Sequence, residues 1–308
     1  MKTAAIDMSR VTPPSRDGVG ASCVALPPGT WLRLIDFLVQ RFPAVAHSVW
    51  CTRLASGEVV NETGHPLSII TPYCAGMKIF YYRSVPAEIV IPFEERIVFQ
   101  DAYLVVADKP HFLPVTPVGR YVQQTLLVRL KRRLGIDTLA PIHRIDRETA
   151  GLVLFSIQPK TRAAYQAMFS ARTVQKNYEA IASSRPDLAL PLVVRNRLVD
   201  AESFMKMRIV DGEPNAETRI ALVKTDGELA RYSLQPATGQ RHQLRVQMEA
   251  LGMPILNDQI YPHHLPETKI DEVPDFSKPL QLLAKSLRFV DPVTGQQRVF
   301  ESERSLQF

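Results

Sequence analysis

The sequence holds three cysteines, Cys23, Cys51 and Cys74, scattered and with no Cys-x-x-Cys pair among them. That pattern excludes a disulfide framework and a zinc site, and leads us to expect a reducing, cytoplasmic setting. Runs of apolar residues long enough to span a bilayer are missing, so no membrane is expected. The stretch from Met1 to Arg16 lacks the apolar core of a signal peptide. Internal repeats are absent, and so is a Gly-rich phosphate loop. Acidic residues are missing altogether between His111 and Ile136, where Arg120, Arg129, Lys131, Arg132 and Arg133 stand uncompensated. Such a run is a solvated face or a phosphate-binding one. The chain of 308 residues carries a net charge of +6, which favours a polyanionic partner only weakly.

What is present is concentrated in one stretch, Pro141-Ile142-His143-Arg144-Ile145-Asp146-Arg147-Glu148-Thr149-Ala150-Gly151-Leu152. A carboxylate, two arginines and a histidine fall within five residues and run directly into an apolar strand. Cations beside a carboxylate favour its charged form. A strand end holds such a cluster in fixed geometry. Taken alone, Arg-x-Asp-Arg is more often a structural ion pair.

The rest reads as a chain of short elements. Residues 1–30 are rich in Pro, Ser and Gly and read as a flexible arm. Leu32, Ile35, Leu38 and Val39 recur at helical spacing, which predicts a helix over Trp31–Phe42. A second helix is expected over Ala44–Leu54, a turn at Gly57, and strands at Val59–Asn61, Lys78–Tyr82 and Ala87–Ile91. Strands follow at Ile97–Phe99 and Tyr103–Ala107, ending in Asp108-Lys109-Pro110. A helix with a leucine face is predicted over Tyr121–Leu134, closed by Gly135. Further expectations are a strand at Leu152–Ile157, a helix at Lys160–Ser170 and a strand around Lys176 and Tyr178, which share a face. Arg195, Arg197, Lys206, Arg208 and Arg219 alternate with apolar residues, as in antiparallel strands with one wet, basic face. A helix then ends at Gly252, and a last strand covers Leu280–Phe289, with Leu282 and Leu283 in the core.

The central stretch resembles the motif His-Arg-x-Asp-Arg-x-Thr-Ser-Gly-Leu of the RluA-type pseudouridine synthases, with Ala150 where the family has Ser. Three more segments are similar to that family. Lys176-Asn177-Tyr178-Glu179-Ala180 matches Lys-x-Tyr-x-Ala. Thr238-Gly239-Gln240-Arg241-His242-Gln243-Leu244-Arg245-Val246-Gln247 matches Thr-Gly-Arg-x-His-Gln-Leu-Arg-Val-His, with Gln240 and Gln247 departing. Gly252-Met253-Pro254-Ile255-Leu256-Asn257-Asp258 matches a Gly-x-Pro-Ile-x-Gly-Asp segment, with Asn257 in place of Gly. Leu283 stands where the family has His.

The resemblance implies an α+β fold: a mixed, largely antiparallel twisted sheet with flanking helices over residues 96–308. A small N-terminal α/β domain over 31–95 would resemble a ribosomal-protein-type RNA-binding fold, with Arg41 and Arg53 facing phosphate. It implies an RNA pseudouridine synthase working on large-subunit ribosomal RNA or transfer RNA, as a monomer, without cofactor or metal. Asp146 would be catalytic, Arg245 its cation and Tyr178 the surface under the base. Arg120, Lys131, Arg132, Arg133, Arg144, Arg147, Lys176 and Arg241 would contact RNA. Two competing readings come from other classes. One is a catalytically silent RNA-binding or ribosome-associated protein, suggested by Ala150, Gln240, Gln247 and Leu283. The other is a phosphoryl-transfer enzyme, disfavoured because its Asp spacing, phosphate loop and metal-binding pair are missing.

Overall fold

The computed structural model describes residues 13–83, 88–202, 206–262 and 275–308. The chain divides into two compact units, residues 1–87 with 131–137, and residues 88–130 with 138–308. This places residues 88–95 with the larger unit, ahead of the boundary expected at 96.

In the first unit, β1 (Ser22–Ala25), β2 (Val59–Asn61) and β3 (Lys78–Tyr81) form a sheet in the order β1-β3-β2. Helices α1 (Leu34–Arg41) and α2 (His47–Ala55) complete it. Its core holds Leu34, Ile35, Leu38, Trp50, Leu54, Val59 and Ile79. The expected arm therefore contributes a strand at β1; residues 1–12 lie outside the described residues. Leu32 is not on the helix face but 85% exposed. Backbone bonds explain this: the chain around it pairs with the segment at 71–73, through Leu34 N–H to Thr71 O and Tyr73 N–H to Leu32 O. Arg53 does not face solvent either; it is buried, its guanidinium 5.1 Å from the Trp50 ring, an arrangement that favours a cation. Arg41 is exposed.

The second unit is built on an 11-stranded sheet. Its strands are β4 (Arg96–Gln100), β5 (Leu104–Lys109), β6 (Ala140–Pro141), β7 (Ala150–Ser156), β8 (Gln175–Ser183), β9 (Leu192–Asp200), β10 (Met207–Val210), β11 (Ala216–Asp226), β12 (Leu229–Pro236), β13 (Leu282–Val290) and β14 (Gln297–Glu301). The order is β10-β9-β11-β12-β8-β13-β7-β5-β4, with β14 on β13 and β6 on β7. Only β13 against β7 is parallel among the described strands. The α+β, largely antiparallel expectation holds. Residues 88–91, expected as part of a strand, are irregular.

Helices α3 (Leu126–Leu134), α4 (Pro159–Ser170) and α5 (Gln243–Ala250) accompany the sheet. The expected helix over 121–134 starts later, at Leu126. The N–H groups of Val122, Gln123 and Gln124 bind the Glu88 carboxylate instead, at 2.7, 2.8 and 2.6 Å. The buried Thr125 hydroxyl then accepts the Val128 N–H at 3.4 Å, a cap the sequence reading missed.

Two apolar clusters anchor the larger unit. Leu244 and Met248 of α5 pack with Ala180, Ile220, Tyr232 and Leu234 of the sheet. Tyr165 and Met168 of α4 pack with Leu152, Leu154, Leu287 and Phe289. Each fully buried side chain of this size contributes roughly 1.5 to 3 kcal/mol. Where β13 meets β7, Leu283 pairs with Ala150 and Ala284 with Gly151. A Cβ on Gly151 would fall 2.3 Å from Ala284 O, and its φ is +110°. That strand junction requires glycine.

Candidate active site

An open cavity of ≈ 760 Å³ lies in the second unit. Its wall is drawn from the central motif, the β8 start and the turn into α5, and includes Arg144, Asp146, Lys176, Tyr178, Arg241 and Arg245. Three segments far apart in sequence thus meet at one hollow.

Asp146 sits in the turn entering β7. Its Oδ2 accepts a hydrogen bond from Arg245 Nη1 at 3.2 Å. Arg245 lies on the buried first turns of α5 and is only 2% exposed. Its other donors, Nε and Nη2, bind the two oxygens of Asp258 at 2.8 and 2.7 Å, a bidentate fork. Asp258 is 1% exposed, Asp146 29%. One carboxylate therefore locks the guanidinium while the other is presented to the cavity. Burial opposes the Arg245 charge, but the Asp258 hydrogen bonds and the charges of both acids outweigh it and raise its pKa. The 5.4 Å approach of the Tyr261 ring adds a cation–π contact.

Tyr178 reaches the same wall from β8. Burial, then the nearby Asp146 charge, push its phenol pKa up, so it stays protonated at neutral pH. The two histidines nearby are held neutral. Burial takes His143 down to about 3, helped by Lys176. Its Nε2 accepts the Leu154 N–H at 3.2 Å, and its ring stacks on Phe169 at 4.5 Å. His242, with φ +53° at the head of α5, has a lowered pKa from burial, partly offset by Asp146. Its Nδ1 lies 3.1 Å from the Tyr261 hydroxyl.

The basic residues divide. Lys176 donates to Thr238 O at 2.7 Å; burial, then Arg172, lower its pKa to about 8. Arg241 is engaged by Asp200 at 2.7 Å. Arg147, beside Asp146 in sequence, turns to Glu148 at 2.6 Å; the cation on Asp146 comes instead from residue 245. Arg144 is exposed on the cavity wall. Arg120 lies over Tyr121 at 5.4 Å and is not in the wall. Lys131, Arg132 and Arg133 form the last turn of α3, also outside it.

Sequence reasoning missed the part played by Asp258. The signal was available in the Asn257-Asp258 pair, where Asn257 takes the left-handed φ of +63° expected of its Gly-like position. The family departures are also placed. Gln247 is fully buried, accepting from Thr218 Oγ1 at 2.6 Å and donating to Asn196 at 3.0 Å. Gln240 donates its backbone N–H to Gln243 Oε1 at 3.0 Å.

A family model described as RNA pseudouridylate synthase matches residues 103–250. The chain is 30% identical over 211 residues to the dual-specificity RNA pseudouridine synthase RluA of Haemophilus influenzae, covering 67% of this chain and 92% of that protein. The chain belongs to the RluA-type pseudouridine synthases. It is also 28% identical over 236 residues to the mitochondrial tRNA pseudouridine(32) synthase of Saccharomyces cerevisiae, covering 74% of this chain but only half (50%) of that longer protein. Among solved structures, human RNA pseudouridylate synthase domain containing 4 superposes with a TM-score of 0.53 at 27% identity, over 68% of this chain and 88% of that one. Human RNA pseudouridylate synthase domain containing 1 shares the fold, at TM-score 0.55 and 20% identity, over 71% of this chain and 86% of that one. As a pseudouridine synthase, the protein is an isomerase acting on RNA. Among the described residues no helix is long and apolar enough to cross a membrane, and no cluster of three metal-ligating side chains occurs.

Proposed function

We propose that Asp146 is the catalytic carboxylate of a uridine-to-pseudouridine isomerisation in structured RNA of the transfer or large-subunit ribosomal class. The observation that carries this is the Asp146–Arg245–Asp258 chain opening on the cavity beside Tyr178. The reaction breaks the glycosidic bond, turns the uracil over and rejoins it through carbon 5. Asp146 offers an anionic oxygen, either to attack or to take a proton. Arg245 holds that oxygen in place and is itself held by Asp258, so the geometry is set before substrate arrives. The Tyr178 ring keeps the freed uracil from leaving, and its retained phenol proton makes it a hydrogen-bond donor. The target uridine must leave its stack, at a cost of roughly a few kcal/mol. Arg144 and Lys176 supply phosphate contacts that offset it.

The yeast relative named for tRNA and the dual-specificity bacterial one support this pair of target classes. Free Cys23, Cys51 and Cys74 support a reducing compartment, the cytoplasm, and we propose a monomer.

The test is pseudouridine mapping in total RNA from cells with the gene, without it, and with Asp146→Asn. Loss of the same sites in the second and third strains is expected. Retention in the Asn strain would falsify the role of Asp146.

A further inference from the structure

Among the described residues, six cations line the cavity, Arg144, Arg147, Arg172, Lys176, Arg241 and Arg245, and Asp146 is the only acid in that wall. Arg147, Arg241 and Arg245 are each engaged by a carboxylate, and Lys176 by the Thr238 carbonyl. Among the described residues, neither Arg144 nor Arg172 has a hydrogen bond or ion pair through its guanidinium. The family motif contains the first of these. It does not account for Arg172.

The backbone at Arg172 sharpens the question. Helix α4 closes at Ser170 with Ala171 as its C-cap, and the Arg172 N–H returns to Phe169 O at 3.1 Å. Arg172 itself has φ +58°. Helices that end this way usually place glycine there, because an L side chain is strained in the left-handed region. Among the described residues the guanidinium of this long cation at a glycine position bonds nothing within the fold. Arg172 and Lys176 share the cavity wall, and the Arg172 charge adds to burial, the larger cause, in lowering the Lys176 amine. Two like charges held together on a cavity wall, with no acid between them, are relieved by a bound anion.

We propose that Arg172, with Lys176 beside it, forms a phosphate subsite that takes one backbone phosphate of the RNA at the rim of the cavity. Contacts of this kind fix register without reading bases. Arg172 is thus a positioning residue for the target nucleotide. The proposal rests on the reading that RNA enters this cavity.

The test is a salt titration of binding, using the full chain and a short fluorescein-labelled RNA stem-loop with a uridine-rich loop. Arg172→Gly removes the charge while supplying the residue its backbone prefers. It should keep or raise the thermal midpoint, weaken binding several-fold, and lower the slope of log Kd against log salt by about 0.7 to 0.9, one phosphate contact. Turnover at saturating RNA should be unchanged, with the loss appearing in KM. Arg172→Lys should restore the slope, and Arg172→Gln gives the same reading if the glycine variant misfolds. An unaltered slope in the charge-removing variants overturns the subsite, as does a fall in kcat with unaltered affinity. Wild-type turnover is followed in parallel. Turnover with an unaltered slope sinks the subsite alone; a shifted slope without any turnover sinks the isomerase reading and leaves the anion site.

Discussion

Ala150 and Leu283 stand opposite each other in the parallel pairing of β7 with β13, and both are sealed in one apolar cluster with Ile181 and Leu306. These are two of the five positions at which the chain departs from the family motifs, standing where the pattern has Ser and His. Their register makes them one change: an apolar contact stands where that pattern would set two polar side chains face to face. Neither departure lines the cavity that holds Asp146, Tyr178 and Arg245. The silent-protein reading loses two of its four motives.

Leu283→His alone should destabilise the protein by about 2 to 5 kcal/mol, because a polar ring would be sealed among apolar groups. Adding Ala150→Ser should recover about 0.5 to 3 kcal/mol through coupling. Urea midpoints of the two single variants and the double variant measure this, and strict additivity would show that the two positions are independent.

Asp258→Asn keeps the shape of the Arg245 fork but removes its buried countercharge. We expect a loss of about 3 to 5 kcal/mol in denaturant stability, and turnover reduced further than folding alone explains, since Arg245 would then be free to swing toward Asp146. Activity matching wild type at a temperature where the variant is folded would show that Asp258 does not orient Arg245.

Gly151→Ala should cost on the order of 3 kcal/mol or more, from its positive φ and the close Ala284 backbone. Leaving Ala284 in place, no side chain has to move for the substitution to fail; the obstacle is main chain. Soluble expression and a thermal melt decide it, and a melt within a degree or two of wild type is the contrary result.

The pH dependence has a definite sign. Burial lowers His111 to about 4 and His143 to about 3 from an ordinary 6.5. Between about pH 3 and 6.5 these two rings bind more protons in the unfolded chain than in the folded one, so their contribution to stability falls as pH falls through that window. Each ring also makes a bond to the backbone, His111 Nδ1 with Glu148 O at 2.8 Å and His143 Nε2 with Leu154 N–H at 3.2 Å. Urea midpoints at pH 7 and pH 5 should differ clearly in wild type, and by much less in a His111→Gln, His143→Gln double variant.

The motif sequences announced the Asp146, Tyr178 and Arg245 neighbourhood because the resemblance carried it. Periodicity could not have done so, since residues 146 and 245 are joined only by the fold. Adjacency was a poor guide: Arg147 looked like the partner of Asp146 and belongs to Glu148. The late start of α3 was hidden for a similar reason, the Glu88 carboxylate that takes its leading N–H groups being over thirty positions upstream. Alternation along β9 and β11 was readable because one face is wet and period two is local. Arg172 was invisible because its meaning lies in a backbone angle.

The placement of β13 sets how short this protein can be made. It is the second-to-last strand in the chain, yet it lies between β8 and β7 in the sheet. A fragment ending at Ala250 would retain every residue matched by the family model and all three proposed catalytic side chains. It would also be two separate ribbons, one bearing Asp146 and the other Tyr178, with the seam that unites them left behind on the discarded piece.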